Sequence, residues 1–420
     1  MVENNANIMY SLLEKALSTG FFLPKSLKKK MVPIMELIIS RFFFLINFIS
    51  LPVYQVRGNE KNSGKNLSIL FVGEELSLIY ISNLLFKNKI NKKKIDQIFV
   101  WRVNKYLKNH SKEADIIIIN TDRFFSRFIE KNCQFIIPEW VSLLLDTSGS
   151  LEDIESGFSR GARTDVKRIK KMNYSYEVSN DPEKLLFFYN RMFLPYISTK
   201  HGEEIHNSYY KYIKTLLDRV SVLLVKDGDK FVCGGLIESK GKKAQLPSMG
   251  ILDGEMKYLV RGASAALFYF HIISAKKNGI NLLNYGDARP FVNDGGFQFK
   301  RKWGMKVVVS RFQFGLFGIK LNNLNENVLS FLKNNPFMYL DKNMLKCYII
   351  EDKRILNSKD VYRLFKSHHS KGVSELCIAS LDGFADDVKD FNLDGFHSKL
   401  AHDKFIDKEI DVLIIDKIED

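Results

Sequence analysis

The sequence contains little cysteine, and its cysteines form no pairing motif. Cys133, Cys233, Cys347 and Cys377 lie far apart, and none belongs to a CxxC pair. This spacing indicates neither a zinc site nor a disulfide scaffold, so reduced thiols in a cytosolic compartment are the expectation. Because each cysteine stands in an apolar run, we expect all four to be buried structural residues, and we predict no metal site.

The sequence also lacks a signal peptide pattern and an uninterrupted apolar run of the roughly 20 residues that a membrane-spanning helix needs. Its most apolar stretch, Met31–Tyr54, is interrupted by Glu36 and Arg41 and follows Lys28–Lys30. A buried helix, an in-plane interfacial helix with a basic flank and a spanning helix are all compatible with this stretch. We predict a cytoplasmic protein and leave open its peripheral association with the inner membrane surface.

The composition is that of a globular protein of two or three domains. Of the 420 residues, 45% are hydrophobic and 26% charged, which excludes a disordered chain, and 25 Gly with 9 Pro exclude a collagen-like or proline-rich one. The formal net charge of +15 favours an anionic partner: nucleic acid, anionic lipid, an acidic carrier protein or a phosphorylated cofactor. A solvated lysine-rich surface would carry the same charge.

Short apolar strands alternate with helical patterns, which predicts the α/β or α+β class with mixed, mostly antiparallel sheets flanked by helices. We divide the chain into an apolar helical segment, a first α/β unit, a second α/β unit and a small C-terminal α/β appendage, at residues 1–57, 58–146, 147–321 and 322–420. In the second unit we predict a basic helix (151–172), further helices (181–198, 207–218, 261–278), a three-stranded meander (220–226, 230–238, 243–252) and two later strands (281–285, 307–314).

The basic helix carries the first of three polar clusters, SRGARTDVKRIKK. At helical spacing, Arg160, Arg163, Lys167 and Lys171 share one face. Such a face can bind phosphate groups, since Arg offers a planar fork and Lys a point charge. A solvated helix face is the alternative.

The second cluster begins an apolar helix with small residues. In RGASAA, residues 261–266, small side chains leave the N–H groups of the first helical turn exposed, and Arg261 adds a positive charge. A helix N-terminus of this kind can bind an anion such as a pyrophosphate. Close packing of a small-residue helix on a sheet explains the same residues.

The third cluster, YGDARPFVNDGGFQFKRKW, follows a buried strand and is the densest in the chain. It contains Asp287, Arg289, Asn293 and Asp294 around two turn signals, and then Lys300. Polar and basic residues at the end of a buried strand are typical of sites built on loops, so here we favour function over structure.

The order and spacing of these segments resemble the GNAT acyltransferase superfamily, and more closely its Fem-type branch with two GNAT-like halves. The resemblance covers roughly Trp140–Arg311 and, more weakly, Leu67–Leu145 as a degenerate first half. It rests on SRGARTDVKRIKK, FLPYISTKHG, DKFVCGGLIES, VRGASAALFYFHIISAKKNGI and YGDARP with GGFQFKRKWG. The resemblance implies a tandem GNAT-like fold and an acyltransferase.

The family's cofactor loop, R/Q-x-x-G-x-G/A, resembles the segment from Arg261 through Ser264 to Ala266, with Ser in place of the central Gly. In the family, backbone N–H groups of this loop hold the pyrophosphate of coenzyme A, whereas many Fem-type enzymes lack the loop and use aminoacyl-tRNA. The resemblance thus implies acyl-CoA, first of all acetyl-CoA, as donor. It implies contacts from Met249, Gly250, Ile251, Arg261, Gly262, Ala263, Ser264 and Ala266.

The resemblance also implies direct attack of an amine on the acyl group, without a covalent enzyme intermediate. Glu238 is the first candidate general base and Asp287 the second, while Lys300 is placed to stabilise negative charge. The N–H groups of residues 249–251 are candidates for holding the acyl carbonyl. Candidate acceptor contacts are Tyr196, His201, Arg289 and Asn293.

We therefore expect an N-acyltransferase that moves an acyl group from acyl-CoA or an acyl carrier protein to an amine on a small molecule, sugar or peptide. An aminoacyl-tRNA-dependent transferase is the first alternative. An enzyme of this kind would bind charged tRNA, whereas we expect no nucleic-acid partner for the enzyme that uses acyl-CoA or an acyl carrier protein. A non-catalytic basic protein that binds nucleic acid or a membrane surface is the second alternative.

Overall fold

A computed structural model describes residues 41, 45–87, 90–110, 112, 114–201, 220–310, 314–351, 353–355, 357–385, 388, 392–393, 396–405 and 408–417. The predicted helix 207–218 and most of the apolar segment 1–57 lie outside the described residues. Within them, no helix has the length and apolar character needed to cross a membrane.

The described chain is of the mixed α/β class, as predicted. Its strands are β1 (Ser50–Asn59), β2 (Asn66–Val72), β3 (Asn91–Phe99), β4 (Ile116–Asp122), β5 (Phe135–Pro138), β6 (Val141–Asp146), β7 (Ser175–Ser179), β8 (Val220–Asp227), β9 (Lys230–Lys240), β10 (Lys243–Ile251), β11 (Leu282–Ala288), β12 (Lys306–Val309), β13 (Gly315–Leu321), β14 (Phe337–Asp341), β15 (Met344–Glu351), β16 (Glu375–Ser380), β17 (Asn392–Leu393), β18 (Phe396–Phe405) and β19 (Lys408–Lys417). Its α-helices are α1 (Glu75–Leu85), α2 (Val103–His110), α3 (Leu151–Ser156), α4 (Arg160–Lys171), α5 (Pro182–Phe188), α6 (Leu194–His201), α7 (Met256–Val260), α8 (Ala263–Lys277), α9 (Gly295–Arg301), α10 (Glu326–Asn334) and α11 (Ser358–His368).

Three sheets organise these elements, in the orders β3-β1-β2-β4-β13-β5, β12-β6-β11-β10-β9-β8-β7 and β14-β15-β16-β19-β18-β17. The pairing does not follow the predicted divisions at residues 146 and 321. Strand β6 pairs with β11 and β12 of the second sheet, and β13 returns to pair with β4 and β5 of the first. One strand of the predicted first unit thus belongs to the second sheet, and one strand of the predicted second unit belongs to the first. In these positions the buried backbone groups of both strands find the hydrogen-bond partners that they need.

Two consecutive glycines of β9 show how the second sheet is covered. A Cβ on Gly234 would lie 2.9 Å from Phe188 of α5, whereas one on Gly235 would lie 3.2 Å from Leu267 of α8. Since successive residues of a strand face opposite sides of a sheet, α8 lies on one face and α5 on the other. This sandwich forms the largest apolar core of the protein.

The basic segment predicted as one helix is two helices. Gly157 ends α3, and the Ser159 side chain caps α4 by accepting a hydrogen bond from the Ala162 N–H. The break allows a close approach, because a Cβ on Gly304 would lie only 2.6 Å from the Gly157 carbonyl oxygen. Similarly, the predicted helix 181–198 consists of α5, a π-helical turn at Tyr189–Phe193 and α6.

The C-terminal segment is α/β, as predicted, but it shares its core with the rest of the protein. Met338 and Leu345 belong to the core of the second sheet, whereas Tyr348 belongs to a core that also contains residues of the first sheet.

The free cysteines agree in part with their predicted burial. Cys233, Cys347 and Cys377 are buried, while Cys133 is only partly so. Burial raises the pKa of the Cys233 thiol, which keeps it protonated and fits a structural role.

Candidate functional site

The second sheet opens between two neighbouring parallel strands, β10 and β11. Their pairing joins Lys243–Gln245 to Leu282–Asn284 and ends there. Beyond this point Ser248–Ile251 pairs with β9, whereas Asp287–Ala288 pairs with β6. Register shifts interrupt both strands just where they part, as bulges do when they bend a strand away from its neighbour. The result is a cleft between the carboxyl ends of two buried strands.

Polar side chains gather where the two strands separate. An open pocket of about 590 Å³ is lined there by Glu238, Gln245, Asn284 and Ser142, among other residues. The Gln245 side-chain amide donates a hydrogen bond to the Glu238 carboxylate, which fixes the predicted first base at the pocket wall. Glu238 is half-buried and its carboxylate retains access to the pocket.

The second predicted base lies beside this pocket. The Ser142 hydroxyl, part of the pocket lining, donates to the Asp287 carboxylate. The Lys300 Nζ donates to the Asp287 backbone carbonyl at 2.8 Å. Burial lowers the pKa of Lys300 to about 8, although the negative charges of Asp287 and Asp294 act in the opposite direction. Lys300 thus contacts Asp287, and Ser142 links Asp287 to the pocket that Glu238 lines.

A glycine gives β11 an open side next to this opening. Gly286 has a φ of +73°, and its N–H donates to the Asn284 side chain at 2.9 Å. A Cβ added to Gly286 would find no heavy atom within 4 Å. The bulge therefore leaves free space beside the strand end that carries Asp287.

On the other side of the opening, β10 packs tightly against the π-helical turn. A Cβ on Gly250 would lie 2.5 Å from the carbonyl carbon of Met192 and from the backbone nitrogen of Phe193. Only glycine fits this contact. Tyr196, a predicted acceptor contact, is buried in the core of the second sheet. His201 ends α6, and its side chain lies outside the described part of the structure.

The predicted cofactor loop has one feature that favours anion binding and one contact that opposes it. Gly262 adopts a left-handed conformation with a φ of +90°, and no side chain caps the start of α8, so N–H groups of its first turn lack a side-chain partner. However, the Arg261 guanidinium forms an ion pair with Asp227 at 2.9 Å, and the Arg168 side chain packs over Gly262. A phosphate group fits the N–H groups, but it must compete with Asp227 for Arg261.

The remaining residues of this loop have mostly a packing role. Ala263 and Ala266 are fully buried in the core, and Ser264 is half-buried. Their small size lets the start of α8 approach the sheet closely. This is the close packing given above as the alternative to an anion site.

Two further residues predicted to contact the acceptor, Arg289 and Asn293, form contacts with other elements of the protein. Arg289 pairs with Glu139 at 3.1 Å and stacks between the rings of Tyr80 and Trp140, 3.9 and 3.6 Å from their centroids. Asn293 donates to the Asn334 carbonyl at 3.0 Å. These contacts join the end of β11 to α1 and to α10.

The basic face of α4 stays open to solvent. Arg160, Arg163, Lys167 and Lys171 are exposed, while the opposite face of α4 is buried. Ser142, Gln245 and Asn284 were not among the predicted site residues. Each is a polar residue beside buried apolar residues of its strand, and this was the signal that could have found it.

No family model matches the sequence, and no curated protein matches it. Solved structures with a similar fold include FemX, at 13% identity and a TM-score of 0.33, covering 60% of this chain and 80% of that one. L-PGS from Bacillus licheniformis shows 13% identity and a TM-score of 0.31, with 69% and 88% covered. A tandem GNAT protein from the clavulanic acid biosynthesis pathway shows 9% identity and a TM-score of 0.26, with 62% and 79% covered. The identities and TM-scores of these similarities are low, and they leave the substrate and the donor open.

Proposed function

We propose that this protein is a transferase that moves an acyl group from a carrier to an amine by direct attack in the cleft between β10 and β11. The observation that carries this proposal is the pocket where two parallel strands separate: Glu238 lines it, and Ser142, also in its lining, contacts Asp287, whose carbonyl holds Lys300. A strand edge without a partner offers N–H groups to an acyl carbonyl, and carboxylates nearby can accept the proton of the attacking amine.

In the proposed reaction the amine nitrogen forms a bond to the acyl carbon, and the bond from that carbon to the sulfur or oxygen of the carrier breaks. Glu238 accepts the proton of the amine, directly or through a water in the pocket. The carrier leaves with a proton. Lys300, held by the Asp287 carbonyl, contributes positive charge as negative charge develops on the acyl oxygen. Asp287 is the alternative base, and Ser142 orients its carboxylate.

Acyl-CoA is the proposed donor, and acyl carrier protein offers the same pantetheine thioester. The uncapped start of α8 supports a pyrophosphate-bearing donor. The ion pair between Arg261 and Asp227 favours the second candidate, an aminoacyl-tRNA donor that does not use this loop. An amine-bearing small molecule, sugar or peptide is the proposed acceptor.

A calorimetric titration with acetyl-CoA and desulfo-CoA separates the two donors. We expect saturable binding to the full chain that Arg261→Ala weakens. Arg363→Ala is a matched control, because Arg363 is an exposed arginine of α11 that also pairs with an aspartate. Equal binding by both variants would exclude the loop as the phosphate site. No binding of either ligand at millimolar concentration would reject the CoA donor, and charged tRNA and acyl carrier protein would be titrated next.

A second experiment separates an enzyme from a non-catalytic binding protein. With a donor identified, Glu238→Gln is expected to lower kcat by about a hundredfold or more while donor affinity is retained. Asp287→Asn shows whether the second carboxylate shares that role. If neither variant loses activity, the proposed site is wrong. Nucleic-acid binding that falls steeply with salt, without any transfer, would favour the non-catalytic alternative.

A further inference from the structure

One end of the first sheet exposes an unusual group of large apolar side chains. Ile46, Phe99, Trp101 and Phe124 are 41%, 43%, 50% and 61% exposed. Phe99 and Trp101 stack on each other, with ring centroids 4.9 Å apart and planes inclined by 5°. Single exposed apolar residues are ordinary on protein surfaces, whereas a group of them indicates an interaction site. We call these four residues the aromatic patch.

Backbone contacts show that the members of the aromatic patch are neighbours. Phe99 pairs with Ser50 at the start of β1, and the Val100 N–H donates to the Ile49 carbonyl at 3.0 Å. The 3₁₀ turn Val100–Arg102 packs against the 3₁₀ turn Arg123–Phe128. The patch therefore brings together the entry to β1, the end of β3 and the end of β4.

The charge around the patch is positive. From Asp96 to Glu113 the sequence contains four Lys or Arg, and its only acids are these two end residues. Arg102, Lys105 and Lys108 of this stretch are exposed, and so is Arg127 in the turn that carries Phe124. Aromatic rings flanked by exposed cations suit the boundary between lipid headgroups and acyl chains, where the rings enter the apolar layer and the cations meet anionic headgroups.

The described part of the most apolar stretch of the sequence, residues 41 and 45–54, lies at this same end. Ile46 belongs to that stretch, and Arg41 is anchored by an ion pair to the buried Asp122 at the end of β4. Arg41, the aromatic patch with Ile46, and the cations thus share one end of the first sheet.

We propose that the aromatic patch and its cations dock the protein onto a membrane surface containing anionic lipid. Membrane docking does not depend on the donor or on the chemistry at Glu238, because the aromatic patch lies at the first sheet and the cleft in the second. A second copy of the chain or another protein would also cover apolar surface, but neither would require anionic lipid.

The test is flotation of the full chain with vesicles of phosphatidylcholine alone or mixed with phosphatidylglycerol. We expect binding to the mixed vesicles that weakens with added salt. The double variant Phe99→Ala, Trp101→Ala is expected to bind at least about tenfold more weakly than the wild type, because neither ring can then insert into the apolar layer. Tyr362→Ala is the matched control, since Tyr362 is an aromatic residue of α11 with 43% exposure beside a lysine.

Two further measurements keep the proposal open to refutation if the double variant folds poorly. Lys105→Glu with Lys108→Glu leaves the rings in place and should abolish the preference for anionic vesicles. Brominated lipid should quench the fluorescence of Trp101, and Trp101→Phe should remove most of that quenching, because Trp303 is buried and Trp140 is half-buried against Arg289. No flotation of the wild type, or equal flotation of the wild type and both patch variants, would overturn the proposal.

Discussion

Gly250→Ala tests the contact that closes one side of the cleft. The added Cβ would lie 2.5 Å from two backbone atoms of Met192 and Phe193 and 2.7 Å from the Met192 carbonyl oxygen. Ordinary van der Waals contacts begin near 3.4 Å, so the π-helical turn or β10 must retreat by roughly 1 Å. The obstacle is backbone, which cannot rotate away as a side chain can. We expect a loss of about 2–3 kcal/mol of unfolding free energy, at the upper end for overpacking.

Thermal unfolding followed by circular dichroism measures this loss. A change of that size should lower Tm by about 2–4 °C in a chain of this length. Gly161→Ala is the matched control. Gly161 lies in α4, where a Cβ would meet only the Ser159 hydroxyl at 3.6 Å, and alanine there should stabilise the protein by up to about 1 kcal/mol. If Gly250→Ala unfolds at the wild-type temperature, the turn does not pack on β10 as described.

Three other predictions follow from the charged contacts. Burial lowers the pKa of Lys300 to about 8, so its positive charge is lost as the pH rises through 8. In a profile of transfer rate against pH, the rate should therefore fall above pH 8. Lys300→Arg should move this fall to higher pH. Arg289→Ala leaves the half-buried Glu139 carboxylate with the Ser77 hydroxyl but without its ion-pair partner, and should cost about 2 kcal/mol in a denaturant titration, so an unchanged midpoint would contradict the contact. Asp227→Asn removes the competitor for Arg261 and should tighten CoA binding several-fold by calorimetry, whereas unchanged affinity would show that the ion pair does not oppose the ligand.

The sequence predicted local structure well where pattern and turn chemistry agree. The meander was confirmed as β8, β9 and β10, with Gly228 in the left-handed conformation that its Asp-Gly turn requires. The long apolar helix was confirmed as α8 and is closed by Gly279 at a φ of +65°. These features depend on neighbouring residues, so a single sequence is enough to predict them.

The predicted site was less complete, because side chains close in space are far apart in sequence. Glu238, Asp287 and Lys300 were selected from their own segments, but Ser142 was not, since its partner Asp287 lies 145 residues away. Likewise, nothing near Arg261 in the sequence indicates that Asp227 pairs with it.

The sequence by itself determined the class of the fold, the meander, the long apolar helix α8, the positive charge and the apolar stretch before β1, because composition, periodicity and turn residues act locally. Only the tertiary structure decided which strands exchange between sheets, where β10 and β11 part and which charges are already paired. Those outcomes depend on hydrogen bonds and packing between segments that are not neighbours in the sequence, from Asp227 with Arg261 to β13 with β4. Such contacts form only when the whole chain is folded.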